Sequence, residues 1–303
     1  MADLYIQHEY WFAAFQLIFA MFGMGATLTL KDFTGEFKTP KGVTIGTLVQ
    51  LIAVPIAAYV FILSTGIVGG VAIGIALIAA IPGGTTSNIF THIARGNSAL
   101  SIAVTAITTL ACLVTTPLIL SLLITEYLPA NFSMPKQQII TEIALTLLLP
   151  LIIGMFVLRS LPNHAPWISK WSIRASLFGI LLIIIGSSSA GRLNTEAFGA
   201  TNIQLVILFV IVLAIIGWGI PTLLGLKKKD STAIEMEVIV RNVNLGVLIK
   251  ASMFPAAGVA VSNAAGNPSN NIGDMVLFTL LLYGAVQMLI AAVLIMFKRR
   301  SGA

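Results

Sequence analysis

Two short stretches carry side chains that can bind ions inside an otherwise apolar chain. The first is Ile81–Phe90, IPGGTTSNIF, in the middle of a candidate apolar helix. Pro82 has no backbone N–H to donate, and the two glycines after it weaken helix propagation. Thr85, Thr86, Ser87 and Asn88 follow at once. The second is Glu237–Asn244, EVIVRNVN, with a Glu, an Arg and two Asn within eight residues. Neither makes a good lipid-facing helix, and backbone that leaves the helix within a bilayer must be satisfied by protein or a water-filled cavity. The physical solution is a pair of interrupted helices packed together at mid-depth. Half-helix N-termini there favour an anion, while carbonyl, hydroxyl and carboxylate oxygens favour a hard cation such as sodium. Polar residues that merely hold helices together are the plain alternative. Two interrupted segments, one bearing both Glu237 and Arg241, argue against it.

The elements that position these residues are membrane helices. Of 303 residues, 57% are hydrophobic and only 9% charged, and the mean hydropathy is +0.99. A soluble surface needs more charge than that. The apolar runs are unbroken and do not alternate, which excludes a β-barrel. The fold class is therefore all-α and polytopic. The single cysteine, Cys112, excludes an intramolecular disulfide. The start, with Asp3 and Glu9, lacks a basic leader, so the first apolar segment is expected to remain as a helix.

At about 20 apolar residues per span, nine segments are expected, near 11–28, 42–64, 70–94, 98–124, 137–158, 175–191, 203–226, 232–262 and 273–297. With the N-terminus outside, the inner loops hold Lys31, Lys38, Lys41, Arg95, Arg159, Lys170, Arg174, Lys227, Lys228, Lys229, Lys298, Arg299 and Arg300. The outer loops hold Lys136 and Arg192. This asymmetry puts the C-terminus in the cytoplasm and accounts for the net charge of +6 without nucleic acid. Arg241 and Lys250 remain inside the eighth segment, where ionisable residues are functional candidates by default. Glu142 and His92 are expected at interfaces. Asn131, in Asn-Phe-Ser, is a formal glycosylation acceptor of no diagnostic weight.

Three blocks carry a resemblance: MFGMGATLTLKDF (21–33), PGGTTSNIFTHIARGNSALSIAVTAITTL (82–110) and EVIVRNVNLG (237–246). They resemble the bile acid:sodium symporter family over essentially the whole chain. The resemblance implies two inverted repeats divided into a panel (about 11–28 and 137–191) and a core (about 42–124 and 203–297), with two broken helices crossing in the core. The chain looks like a nine-helix member lacking the initial helix, in one transporter domain, 1–303. The family's first sodium site maps onto Ser87, Asn88, Ser101, Thr105 and Glu237. Ser101 and Thr105 stand four apart, on one helix face. The second site maps onto Gln50, Glu237 and carbonyls around Val238 and Val240, but its second Gln is Arg241 here. A guanidinium has no acceptor and cannot ligate a cation. Arg241 is thus expected to replace that sodium and to pair with Glu237. Thr85, Asn242 and Arg241 are the implied substrate contacts. Lys250 matches no family position and is expected to snorkel to the outer interface.

What the residues and the resemblance together imply is a secondary active transporter of a small organic anion. It would be coupled to one sodium ion, work by alternating access, and sit in a cell membrane, by inference the bacterial inner membrane, without a protein or nucleic-acid partner. The alternatives are a sodium-independent carrier, proton-coupled or exporting, and a cation/proton antiporter, which wants a second intramembrane acid. The sequence has no His–Glu zinc motif, nucleophile elbow or acid pair, so an enzyme is not expected.

Overall fold

The computed structural model describes residues 2–29, 40–128, 132–255 and 269–300. Lys31, Lys38 and Asn131 lie outside the described residues. Among those described, the regular structure is helical: α1 Ala2–Gly25, α2 Pro40–Thr65, α3 Gly69–Ala80, α4 Thr85–Ile93, α5 Ser98–Leu123, α6 Lys136–Ser160, α7 Ala165–Ser189, α8 Ala200–Leu223, α9 Lys228–Ile239, α10 Val243–Met253 and α11 Ser269–Arg300. Six of them (α2, α5, α6, α7, α8 and most of α11) are long and apolar enough to cross a bilayer. Large apolar side chains such as Leu177, Phe178, Leu181, Ile215, Trp218 and Leu289 face outward, while glutamates, glutamines and threonines are buried. That pattern suits lipid as solvent, and the protein is a multi-pass membrane protein.

The expected segments 70–94 and 232–262 are each two helices, α3–α4 and α9–α10. The expected first segment, 11–28, begins too late: α1 starts at Ala2, kinked at His8 (φ −123°, ψ 18°). Its polar first turns are helical because Tyr5 and Glu9 are buried against partners elsewhere in the fold. Likewise α7 begins at Ala165, ten residues before the expected 175.

Prolines shape two of the long helices. Pro55 and Pro150 cannot donate to the preceding turn, and in both helices a wide π turn lies just before them. These are Val49–Ala53, closed by Val54 N–H to the Val49 carbonyl, and Ile143–Leu148, closed by Leu149 N–H to the Ala144 carbonyl. Gln50 sits in the first of these π turns.

Packing falls into two sets. α1 lies against α6 and α7, with Gly25 and Gly154 so close that a Cβ on either would run into the other helix's backbone. α3, α4, α5, α8, α9 and α11 pack around the two interruptions, and α10 touches both α11 and α1.

Candidate functional site

The two interruptions cross one another. Residue 81, before Pro82, is extended (φ −81°, ψ 151°), as the ring of a following proline requires. Gly84 is extended too, so α4 restarts only at Thr85. Gly83 and Arg241 form an antiparallel bridge. Gly84 N–H donates to the Val240 carbonyl (2.8 Å) and Asn242 N–H to the Pro82 carbonyl (3.0 Å). The remaining amides of the breaks go to side chains: Gly83 N–H to Gln50 Oε1 (3.0 Å) and Arg241 N–H to Gln287 Oε1 (2.8 Å). The carbonyls that end the two first half-helices are capped by hydroxyls from their neighbours. Thr116 donates to Ala80 (2.7 Å), and Tyr283 to Ile239 (2.7 Å). These partners make broken helix tolerable at membrane depth.

Beside this crossing is a carboxylate hub. Glu237, in the last turn of α9, is fully buried. Its Oε1 accepts from Ser87 Oγ and from Ser101 Oγ (2.6 Å), and its Oε2 from Thr105 Oγ1 (2.7 Å) and Gln50 Nε2 (3.2 Å). Asn88 Oδ1 lies within reach of Ser101 Oγ (2.8 Å) and Thr105 Oγ1 (3.2 Å). All five residues expected at the first ion position therefore come together. α4 supplies Ser87 and Asn88, one face of α5 supplies Ser101 and Thr105, and α9 supplies the carboxylate. Chemically this is an all-oxygen cluster holding one formal negative charge, suited to a hard cation.

At the second position the geometry corrects an expectation. Arg241 is buried beside the hub but makes no ion pair with Glu237. Its Nη1 donates to Gln50 Oε1 (2.7 Å), while Gln50 Nε2 donates to Glu237, so a neutral amide joins the two charges. The reason is reach and direction: Arg241 leaves the crossing strand on the side of α2, where Gln50 is the first acceptor it meets. Arg241 Nε and Nη2, which form the other edge of the guanidinium, are buried without a hydrogen-bond partner. The Val240 carbonyl already accepts Gly84 N–H, and Val238 lies buried in α9.

Thr85 opens α4 and is half-buried. Asn242 caps α10, its Oδ1 accepting Leu245 N–H (3.3 Å) and its Nδ2 facing Met21 Sδ (3.7 Å). Both flank the crossing bonds. His92 is exposed near the end of α4.

Lys250 does not snorkel. It is fully buried, with Nζ 2.7 Å from Glu9 Oε1. Glu9 also takes Arg192 Nη1 (2.7 Å), and Arg192 Nε pairs with Asp274. A lysine at this depth reaches carboxylate sooner than water, which overturns the interfacial reading. Glu142, expected at an interface, is buried as well and accepts from Gln138 (3.0 Å) and Ser252 (2.8 Å).

Several site residues went unread in the sequence. Gln16 on α1 donates to the Asn244 carbonyl (3.1 Å), tying α1 to α10 beside the crossing. Gln287, Tyr283 and Thr116 complete the backbone accounting. Gln16 and Gln287 each stand as a lone amide in a long apolar run, and that isolation was the available signal.

Comparison with known proteins gives the family. The model of the sodium bile acid symporter family matches residues 14–198, which include Gln50, the first interruption, Ser101 and Thr105. This chain belongs to that family. Among its relatives is the uncharacterized sodium-dependent transporter YocS of Bacillus subtilis, 31% identical over 272 residues, 89% of this chain and 83% of YocS. The probable sodium/metabolite cotransporter BASS1 of Arabidopsis thaliana chloroplasts is 30% identical over 86% of this chain and 64% of its own length. The human ileal sodium/bile acid cotransporter is 31% identical over 56% and 49%, respectively. The chain thus spans about half of the human relative and just under two thirds of the plant one.

Proposed function

We propose that this chain is a secondary active transporter that couples sodium to the movement of a small organic anion. The observation that carries the reading is the buried Glu237 carboxylate with Ser87, Asn88, Ser101 and Thr105 around it. Three hydroxyls, one amide oxygen and a carboxylate can turn their lone pairs to one hard cation, with a single charge to balance it. Glu237 is shared with the Val238 and Val240 region and with Gln50, and there Arg241 stands in for a second sodium, acting on Glu237 through Gln50. One sodium per cycle follows.

The anion is assigned to the crossing. The positive ends of α4 and α10 both start there. Arg241 keeps Nε and Nη2 unpartnered, the fork that takes a carboxylate in bidentate fashion. A buried guanidinium so placed gains from any anion that completes it. Thr85 and Asn242 flank it as further contacts. α1, α6 and α7 form the panel (about 11–28 and 137–191), and the elements of 42–124 and 203–297 form the core that moves against it. The chain lies in a bacterial inner membrane, N-terminus outside.

The test is thermal stability of the purified protein in sodium against potassium or choline, for wild type, Glu237→Gln and Arg241→Gln. Saturable stabilisation of wild type by sodium, absent in Glu237→Gln and larger in Arg241→Gln, is the expected result. The rival is a sodium-independent carrier, favoured by Arg241's place in the same hydrogen-bonded network as Glu237. It becomes the account if neither wild type nor Arg241→Gln responds to sodium.

A further inference from the structure

The four charges Glu9, Arg192, Lys250 and Asp274 lie away from the ion hub and belong to no part of the function argued above. Glu9 is 3% exposed, Lys250 0% and Arg192 8%. They come from four elements: Glu9 from α1, Arg192 from the turn after α7, Lys250 from the last turn of α10 and Asp274 from the beginning of α11. The start of α1, the end of α7, the end of α10 and the start of α11 gather at one end of the bundle. The lysine and arginine asymmetry puts that end outside. On the α1–α7 side, Tyr5 on α1 takes a hydrogen bond from Ser187 on α7 (2.8 Å) and donates to Glu9 (3.3 Å). Glu9 and Arg192 are therefore held together on one packing set, and Lys250 and Asp274 belong to the other. Both ion contacts that join the sets, Lys250 to Glu9 and Arg192 to Asp274, cross the boundary between them.

We propose that this quartet is an outer latch between α1–α7 and α10–α11, which holds the crossing shut from the outside. The inference rests on the alternating-access reading. For the crossing to face outward, α10 and α11 must part from α1 and α7 at this end, and both crossing ion contacts must break. Two cations and two carboxylates balance in the closed form, so closure needs no counter-ion. On opening, all four charges regain water, which keeps the latch reversible where an apolar seal would expose only hydrocarbon. Gln16 donating to the Asn244 carbonyl closes the same seam nearer the crossing.

The face of α1 that carries Glu9 also carries Ala13, four residues on, and then Gln16. Ala13 is 0% exposed and lies between latch and crossing. The experiment uses the full-length protein in intact cells, with Cys112→Ala removing the native thiol and Ala13→Cys as reporter. A charged, membrane-impermeant methanethiosulfonate is added from outside. Glu9→Gln with Lys250→Met leaves Arg192 and Asp274 as a balanced pair, so no buried charge is orphaned. The expected result is labelling faster by roughly tenfold, a shift in the outward-open population, with labelling from the inside not accelerated. An unchanged rate, or acceleration from both faces, overturns the latch. If the double variant does not fold, Glu9→Asp withdraws the carboxylate by one methylene at constant charge, and the same two outcomes decide. The readout needs neither substrate nor sodium. Failure of sodium coupling would appear in the melting experiment and leave the labelling result intact.

Discussion

Glu237 accepts four hydrogen bonds, three from hydroxyls on α4 and α5 and one from the Gln50 amide on α2. If those donors are ion ligands, Ser101→Ala and Thr105→Val should each weaken the apparent sodium affinity by about tenfold, the size of one interaction with a charged group. Titrating the melting temperature with sodium measures it, and a variant that binds as tightly as wild type removes that residue from the site. Gln50 has a different job. It serves Gly83 N–H, Arg241 Nη1 and Glu237 at once, so Gln50→Leu strands two buried donors, Gly83 N–H and Arg241 Nη1, at about 1–3 kcal/mol each, and takes one of four bonds from Glu237. Its melting temperature should fall by several degrees even in potassium, where the ligand variants stay near wild type. Arg241→Gln should lower the affinity for an anionic substrate in an uptake assay more than it lowers the maximal rate, and Arg241→Lys should not restore it, because an ammonium lacks the fork.

At the scale of elements, the breaks work because each half-helix end finds partners on a neighbour. Thr116 and Tyr283 perform the same task in the two halves, each capping a buried terminal carbonyl. Thr116→Val and Tyr283→Phe should therefore cost similar amounts, about 1 kcal/mol each, seen as modest and comparable drops in melting temperature. Gly83 shows how tightly strand and hub are fitted, since a Cβ there would collide with the Glu237 carboxylate. Gly83→Ala should insert and fold yet lose sodium-dependent stabilisation. Retention of full sodium response would separate the crossing from the ion position.

For the whole molecule, the two ends differ in charge. The loops expected inside concentrate lysine and arginine, while at the other end Lys250 and Arg192 are buried in ion pairs. An epitope tag at the N-terminus should be reached by antibody on intact cells or spheroplasts, and one at the C-terminus only after permeabilisation. The opposite pattern would invert the orientation and place the latch on the cytoplasmic side.

Much of this was legible from local rules. Hydropathy over about 20 residues marks a span, and Pro82 with two glycines marks a break, because both effects act within a turn or two of chain. Hydroxyls four apart on α5, together with the family pattern, pointed to the set that gathers at Glu237. Which charges meet was not legible in the same way. Arg241 and Glu237 are four residues apart, a spacing that suggests a direct pair, yet the chain leaves the helix between them and Gln50, 191 residues from Arg241, takes the contact. Lys250 was expected in water because nothing near it in sequence could pair with it, while its partner Glu9 is 241 residues away. Composition and periodicity thus determined the class of protein, the interruptions and the polar inventory. Only helix packing decided the antiparallel crossing and the partner of each buried charge, because partners hundreds of residues apart meet only once the chain has folded.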